Sequence, residues 1–153
     1  MARTIWLLRH GDAEPHGTRE DFDRRLTPRG ERQSRAAGLA LARLGVRFDH
    51  VFASPRVRAL DTARLACSEL GLEPVIHEPL SGGFDERDSD ALLAGTAAGA
   101  SLLLVGHEPD LSHLVGALTG ARVEMKKGGM AAIRGGQLVE LLRPNEIELV
   151  AGL

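Results

Sequence analysis

Four short stretches, at residues 4–8, 49–53, 74–77 and 102–105, are apolar and bounded by glycine, proline or charged side chains. Each is too short for a helix and predicts a strand. Between them the apolar spacing becomes helical. Thr27-Pro28 reads as an N-cap followed by a first-turn proline, and Gly45 stops that helix after Leu44. Leu39, Ala40, Leu41 and Leu44 form its apolar side and leave Arg32, Arg35 and Arg43 to solvent. A second helix opens at Ser54-Pro55 and ends near Gly71, with Val57, Leu60, Ala63, Cys67 and Leu70 at helical spacing. A shorter helix is predicted over 88–98. Another runs from Pro109, with Leu111, Leu114, Val115 and Leu118 on one side. Residues 123–150 change character: short alternating runs, split by Gly128-Gly129, Gly135-Gly136 and Pro144, predict hairpin-like strands. Strands alternating with helices predict one α/β domain over residues 1–153, with three layers and a mostly parallel central sheet covered by helices on both faces.

Composition narrows the partners. The 153 residues carry 19 Lys+Arg against 21 Asp+Glu, a net charge of −2, and the pI is near 6.3. That balance lacks the basic excess of a general nucleic-acid or membrane-surface binder. No apolar stretch reaches bilayer length, and the N-terminus turns charged at Arg9, so a cytoplasmic protein is expected. Cys67 stands alone, which leaves no disulfide framework and no thiolate zinc site; its helical spacing makes it a core residue. Of the 19 basic residues, 17 are arginine, the side chain shaped to grip phosphate, so their placement matters.

In such a sheet ligands bind beyond the carboxyl ends of the strands. Arg9-His10-Gly11-Asp12 follows the first predicted strand, Ser54-Pro55-Arg56-Val57-Arg58 the second, and Gly106-His107-Glu108-Pro109 the one at 102–105. No other part of the chain has this density of catalytic side chains. Paired histidines invite a metal, but neighbouring guanidinium groups repel one and no ligand spacing supports it; neither a metal nor a cofactor is expected. Arginines imply an anion, and their fork fits tetrahedral phosphate. A neutral imidazole amid fixed positive charge is a nucleophile for phosphorus, while the same charges stabilise the phosphoryl transition state. The constellation points to phosphoryl transfer through a phosphohistidine.

Four motifs in order carry a family resemblance. Leu7-Leu8-Arg9-His10-Gly11 contains the RHG signature, Arg24-Arg25-Leu26-Thr27-Pro28-Arg29-Gly30 resembles an "R-x-LT-x-x-G" helix start, Ser54–Ala63 matches "SP-x-x-R-A-x-x-TA", and Val105–Ser112 is similar to "VGHEPDLS". Together they resemble the histidine phosphatase (phosphoglycerate mutase-like) superfamily, and within it the SixA-type phosphohistidine phosphatases. The resemblance implies a phosphoglycerate mutase-like fold. It implies His10 as the nucleophile, Arg9 and Arg58 as phosphate-holding arginines, His107 as the second pocket histidine and Arg24 as a further phosphate contact. Arg56, two residues from Arg58, is expected to point elsewhere on a helix. Lys126-Lys127 reads as a solvated hairpin edge, and His16, His50, His77 and His113 as surface or satisfied polar residues.

The pattern is broken once. Many relatives carry a glutamate just after the third strand that protonates the departing oxygen, whereas here the stretch is Glu78-Pro79-Leu80-Ser81-Gly82-Gly83. Asp12 is the nearest candidate acid/base group by sequence, with Asp85 and Glu86 remoter. An alkoxide needs general-acid help to leave, whereas an imidazole leaves as a neutral base once protonated. The loss therefore fits a phosphohistidine substrate. The short span between residues 80 and 102 leaves no room for a capping subdomain, and an open site suits a phosphorylated protein, such as a histidine phosphotransfer domain in signal transduction. The alternatives are a broad-specificity phosphomonoesterase acting on small phosphate esters, or a non-hydrolytic phospho-ligand binding module.

Overall fold

The computed structural model describes residues 1–153. The first apolar stretch forms β1 (Thr4–Arg9), whose central four residues are all buried. Helix α1 (Pro28–Arg43) follows, with Thr27 Oγ1 accepting the Gly30 N–H as the cap. Then come β2 (His50–Ala53), α2 (Val57–Leu70), β3 (Val75–Ile76), a 3-10 turn over Glu78–Ser81, α3 (Glu86–Ala94), β4 (Ser101–Gly106) and α4 (Asp110–Thr119). The chain ends with β5 (Met130–Arg134), β6 (Gln137–Leu142) and α5 (Pro144–Ala151).

The six strands form one sheet in the order β3-β2-β4-β1-β5-β6. The pairs β3–β2, β2–β4 and β4–β1 are parallel, and β1–β5 and β5–β6 antiparallel. Two cores result, one on each face. Helices α1, α2 and α5 pack on one through Ala36, Ala37, Ala40, Leu41, Ala59, Ala63, Cys67 and Ile147. On the other, α4 and the turn before α3 pack Leu111, Leu114, Val115, Leu80 and Phe84 against Ile5, Leu7 and Leu104. Alternate residues of β1 therefore serve opposite cores, as the pleat requires. The expected three-layer α/β architecture is present, and Cys67 lies in the core, where burial pushes its thiol up to about 11.

The structure redraws some elements. The stretch predicted as strands to residue 150 ends in α5. Pro144 occupies the first helical turn, Glu146 Oε1 accepts the Arg143 N–H at 2.9 Å, and Ile147 and Ala151 are buried one turn apart. Pro144 thus starts a helix and does not merely separate strands. Helix α3 begins two residues earlier than expected and stops at Ala94, because Asp85 caps it through the Asp88 N–H. The core of α1 is made by its alanines and Leu41, and Leu44 is exposed.

Register places the chemistry. Arg9 pairs with Gly106 and Ala53 with Val105, so β1, β4 and β2 end level with one another. The ladder continues one step, from His10 N–H to Gly106 O and from Ser54 N–H to Val105 O. His10, His107 and Ser54 therefore emerge side by side. From β1 the chain steps to β2 and β3 with α1 and α2 on one face, then returns to β4 with α3 and α4 on the other. The site occupies the crevice where that direction reverses.

Two glycines set the depth of the crevice. A Cβ on Gly11 would stand 2.6 Å from Gly30 O, and a Cβ on Gly30 would overlap the Asp12 carbonyl oxygen. The loop after β1 and the first turn of α1 are thus in backbone contact. A Gly30→Ala substitution is expected to lower Tm by about 3–10 °C, from the usual cost of overpacking against backbone. Thermal unfolding checks this, and an unchanged Tm would contradict the close approach.

Candidate active site

His10 is buried, and its Nδ1 lies 2.7 Å from Gly11 O. A carbonyl only accepts, so Nδ1 carries the proton and the neutral ring keeps its lone pair on Nε2. Gly11 is fixed in turn by its N–H to Thr62 Oγ1, at 3.1 Å, on α2. Burial above all, and then the charges of Arg58, Arg9 and Lys127, lower the His10 pKa to about 4 against the opposing bond to Gly11. At neutral pH the ring is an uncharged base.

The His107 ring centroid lies 5.2 Å from that of His10. Its Nε2 is 2.7 Å from Ser54 Oγ, whose oxygen accepts the Arg56 N–H; with the hydroxyl donating to Nε2, the one ring proton sits on Nδ1. Burial first, then His10, Arg58 and Arg56, lower its pKa to about 3. Neither histidine offers an acidic proton near neutrality. Both pKa values are lower folded than unfolded, so the unfolded chain takes up more protons as pH falls. This contribution to stability is whole above about pH 6.5 and is lost as pH falls through the folded values, about 4 and about 3. Denaturant midpoints are expected to drop steadily from neutral pH down to about 4. A flat profile would contradict two buried neutral imidazoles.

Arg9 and Arg58 enter from opposite sides. Arg9 Nη1 donates to Met125 O at 2.9 Å, and Arg58 Nη1 to Asp21 O at 2.7 Å. Both Nε groups are buried and unpartnered, as is His107 Nδ1. Ser89 Oγ is the one other buried side-chain polar atom without a hydrogen bond. Unpaired buried polar groups are rare and each costs about 1–3 kcal/mol. Their concentration around His10 defines a site built for an anion with several acceptor oxygens.

A strap from the C-terminal half holds Arg9. Glu108 accepts from Ser112 N and Oγ, at 2.8 and 2.6 Å, and Ser112 Oγ accepts the Met125 N–H. Met125 O takes Arg9, and three residues on the Gly128 N–H donates to both Arg9 O and His10 O. Gly128 has φ +76°, the left-handed conformation that glycine adopts without strain. Lys127 lies 3.8 Å from Asp12 Oδ1, so it belongs to the rim of the site and not to a solvated hairpin edge; the hairpin turns at Gly135-Gly136.

The remaining expected residues fall into two groups. Arg24 is buried and joins the cluster indirectly: it donates to Glu14 O and, with Nε and Nη2, to Asp21 Oδ1. Asp12 turns its carboxylate to the Thr27 hydroxyl, at 2.7 Å, and to Lys127, and makes no hydrogen bond to either histidine. Arg56, expected to point away, is the N-cap of α2 and not a helical residue, so helical spacing does not govern it. It donates to Ser81 O and to the Asp21 carboxylate. No local pattern in the sequence marks Asp21. Its carboxylate contacts Arg24, Arg56 and Arg58, and His16 Nδ1 stands 3.6 Å away. Burial works to raise its pKa, but Arg58 and Arg24 outweigh that and hold it below the usual carboxylate value.

At the position of the missing glutamate, Gly82-Gly83 follow the 3-10 turn, and Gly83 N–H donates to Asp110. Asp85 is occupied as a helix cap. No group of three or more His, Cys, Asp or Glu side chains is placed to hold a metal ion, and no helix is long and apolar enough to cross a membrane.

A mostly parallel α/β sheet whose strand ends converge two histidines and two free-edged guanidinium groups defines a phosphate-handling protein. The family follows from comparison: the histidine phosphatase superfamily (branch 1) matches residues 5–89, and the chain belongs to it. An uncharacterized protein of Picosynechococcus sp. is 36% identical over 144 residues, 86% of this chain and 85% of that one. A 2,3-bisphosphoglycerate-dependent phosphoglycerate mutase of Methylobacterium radiotolerans is 39% identical over 94 residues, 58% of this chain but 42% of the mutase. Among solved structures, the protein histidine phosphatase SixA complexed with tungstate superposes with a TM-score of 0.81 at 25% identity, covering 93% of this chain and 97% of that one.

Proposed function

We propose that the protein is a metal-independent phosphohistidine phosphatase of the SixA type, acting on a phosphohistidine carried by another protein through a covalent phospho-His10 intermediate. The observation that carries this reading is the His10 Nδ1 to Gly11 O hydrogen bond, which leaves Nε2 as a lone pair beside unpartnered Arg9 and Arg58 N–H groups. The lone pair attacks phosphorus in line with the leaving group while Arg9, Arg58 and His107 hold the equatorial oxygens. Water then attacks phospho-His10, its oxygen bonding to phosphorus as the N–P pair returns to Nε2 and a proton passes to solvent. Tungstate, bound by the similar SixA structure, is a tetrahedral oxyanion like phosphate.

Two features support the leaving group. The place of the oxygen-protonating glutamate is filled by Gly82-Gly83. Between β3 and β4 the chain has room only for a 3-10 turn and the nine-residue α3, so no subdomain covers the pocket and a protein-borne substrate has access. The test compares kcat/KM on a phosphohistidine protein with a panel of aryl and sugar phosphates. A clear preference for phosphohistidine is expected. Faster turnover of a sugar or glycerate phosphate would instead make it a small-molecule phosphomonoesterase, and oxyanion binding without turnover of any substrate would make it a binding module.

A further inference from the structure

Asp21 is an unusual component of a site that must attract a dianion. Its carboxylate sits on Arg58, a guanidinium assigned to phosphate, and also contacts Arg24 and Arg56. Arg58 reaches Asp21 with both Nη groups, through the carbonyl and the carboxylate, and keeps Nε free. The carboxylate therefore lies just beyond the phosphate grip, on the outer side of Arg58, and its side chain is 45% exposed. On that exposed side it already meets an imidazole: the solvent-facing His16 ring, with Nδ1 at 3.6 Å.

The proton inventory of the site makes this position informative. His10 and His107 are neutral, Asp12 is held by Thr27 and Lys127, and Gly82-Gly83 contribute no acid. A phosphohistidine must then bring its own proton. An imidazole phosphorylated on one ring nitrogen can carry a proton on the other, and in that form it departs as neutral imidazole without acid at the breaking bond.

We propose that Asp21 accepts a hydrogen bond from the second ring nitrogen of the departing imidazole, and so selects phosphohistidine over phosphate esters. This rests on the phosphohistidine reading of the site and extends it to the leaving group. The His10 Nε2 lone pair forms the new N–P bond as the substrate N–P bond breaks, and that pair stays on the imidazole nitrogen. The proton remains on the ring's other nitrogen, held by the Asp21 carboxylate and not transferred to it. An aryl or alkyl ester departs with negative charge toward the same carboxylate and is disfavoured.

The groups facing Asp21 are Arg24 after its own turn, Arg56 and Arg58 from the start of α2, and His16 from the loop before it, with His107 across the pocket. The pH limb to be followed is that of the substrate ring, and His16→Gln controls for the neighbouring imidazole.

The experiment measures Asp21→Asn, and Asp21→Ser as a second neutral variant, on phosphohistidine and on p-nitrophenyl phosphate. Loss of a charge-assisted hydrogen bond is expected to lower kcat on phosphohistidine on the order of 10- to 100-fold. Turnover of p-nitrophenyl phosphate is expected to rise, because the phenolate no longer meets a carboxylate. In the wild type, kcat on phosphohistidine falls at high pH as the second nitrogen loses its proton. That limb is expected to move to lower pH in both variants and to stay in place in His16→Gln. Equal losses on both substrates would reduce Asp21 to a structural counter-ion and overturn the proposal. An unaltered phosphohistidine rate would overturn it while leaving the phosphohistidine reading intact. Failure of the wild type to turn over phosphohistidine at all would overturn both.

Discussion

His10→Ala is expected to lower turnover of every phospho-substrate by at least about 10⁴-fold, the scale seen when a covalent nucleophile is removed. No other side chain in the pocket can replace it. His107 commits Nε2 to Ser54, and Asp12 makes no hydrogen bond to the reacting ring. The same substitution leaves Arg9 and Arg58 in place, so vanadate is still expected to bind. An acid-labile phosphoenzyme is expected when the wild type is briefly mixed with substrate, and none is expected in the variant. Retained turnover with the loss of His10 would remove the covalent mechanism. The pH profile supplies an independent check. His10 must be neutral to attack, and its pKa lies at about 4, so kcat/KM is expected to hold its value well below pH 6.5 before falling on the acid side.

Arg58→Ala is the second large effect. It removes a guanidinium that is buried at the site, carries an unpartnered Nε and neighbours the nucleophile. Loss of one preorganised donor to a developing oxyanion costs about 10²–10³-fold in kcat. Two further consequences separate this residue from a generic surface arginine. Arg58 is among the charges that hold the His10 pKa down, so the acid limb of kcat/KM is expected to move to higher pH. The Asp21 carbonyl and carboxylate lose a partner at the same time, which raises KM along with the fall in kcat. Lysine at this position restores charge but not the fork and is expected to recover only part of the rate. Wild-type kcat in the alanine variant would exclude Arg58 from the transition state.

The residues that the sequence makes visible are those tied to local patterns. His10, Arg9, Arg58 and His107 follow strands or open helices, where glycine, proline and apolar runs mark the turn. Their convergence follows from parallel strands ending level. Asp21 is invisible by the same means. The arginines that hold it, 24, 56 and 58, come from two separate segments, and no spacing rule links a loop carboxylate to both. Helical spacing counted from Ser54 turns Arg56 outward; the cap is Arg56 itself, and a cap residue does not follow helical spacing. Helix α5 resembles a strand in the sequence because Ile147-Glu148-Leu149 alternate, whereas the structure buries Ile147 and Ala151 and leaves Leu149 exposed. The Met125–Gly128 strap has no sequence signature, since it acts through backbone groups.

The glycine contact between the first phosphate loop and α1 divides the labour within this pocket. Because Gly11 and Gly30 meet backbone to backbone, the loop that carries His10 and the first turn of α1 form one close-packed block, and substitution there trades away folding. The 14–23 and 78–87 segments flank that block, and Arg56 ties them together through Ser81 O and the Asp21 carboxylate. Substrate choice is therefore expected to be written into those two rims, at positions other than Asp21, Leu80 and Phe84, which are tied to Arg58 or to the core.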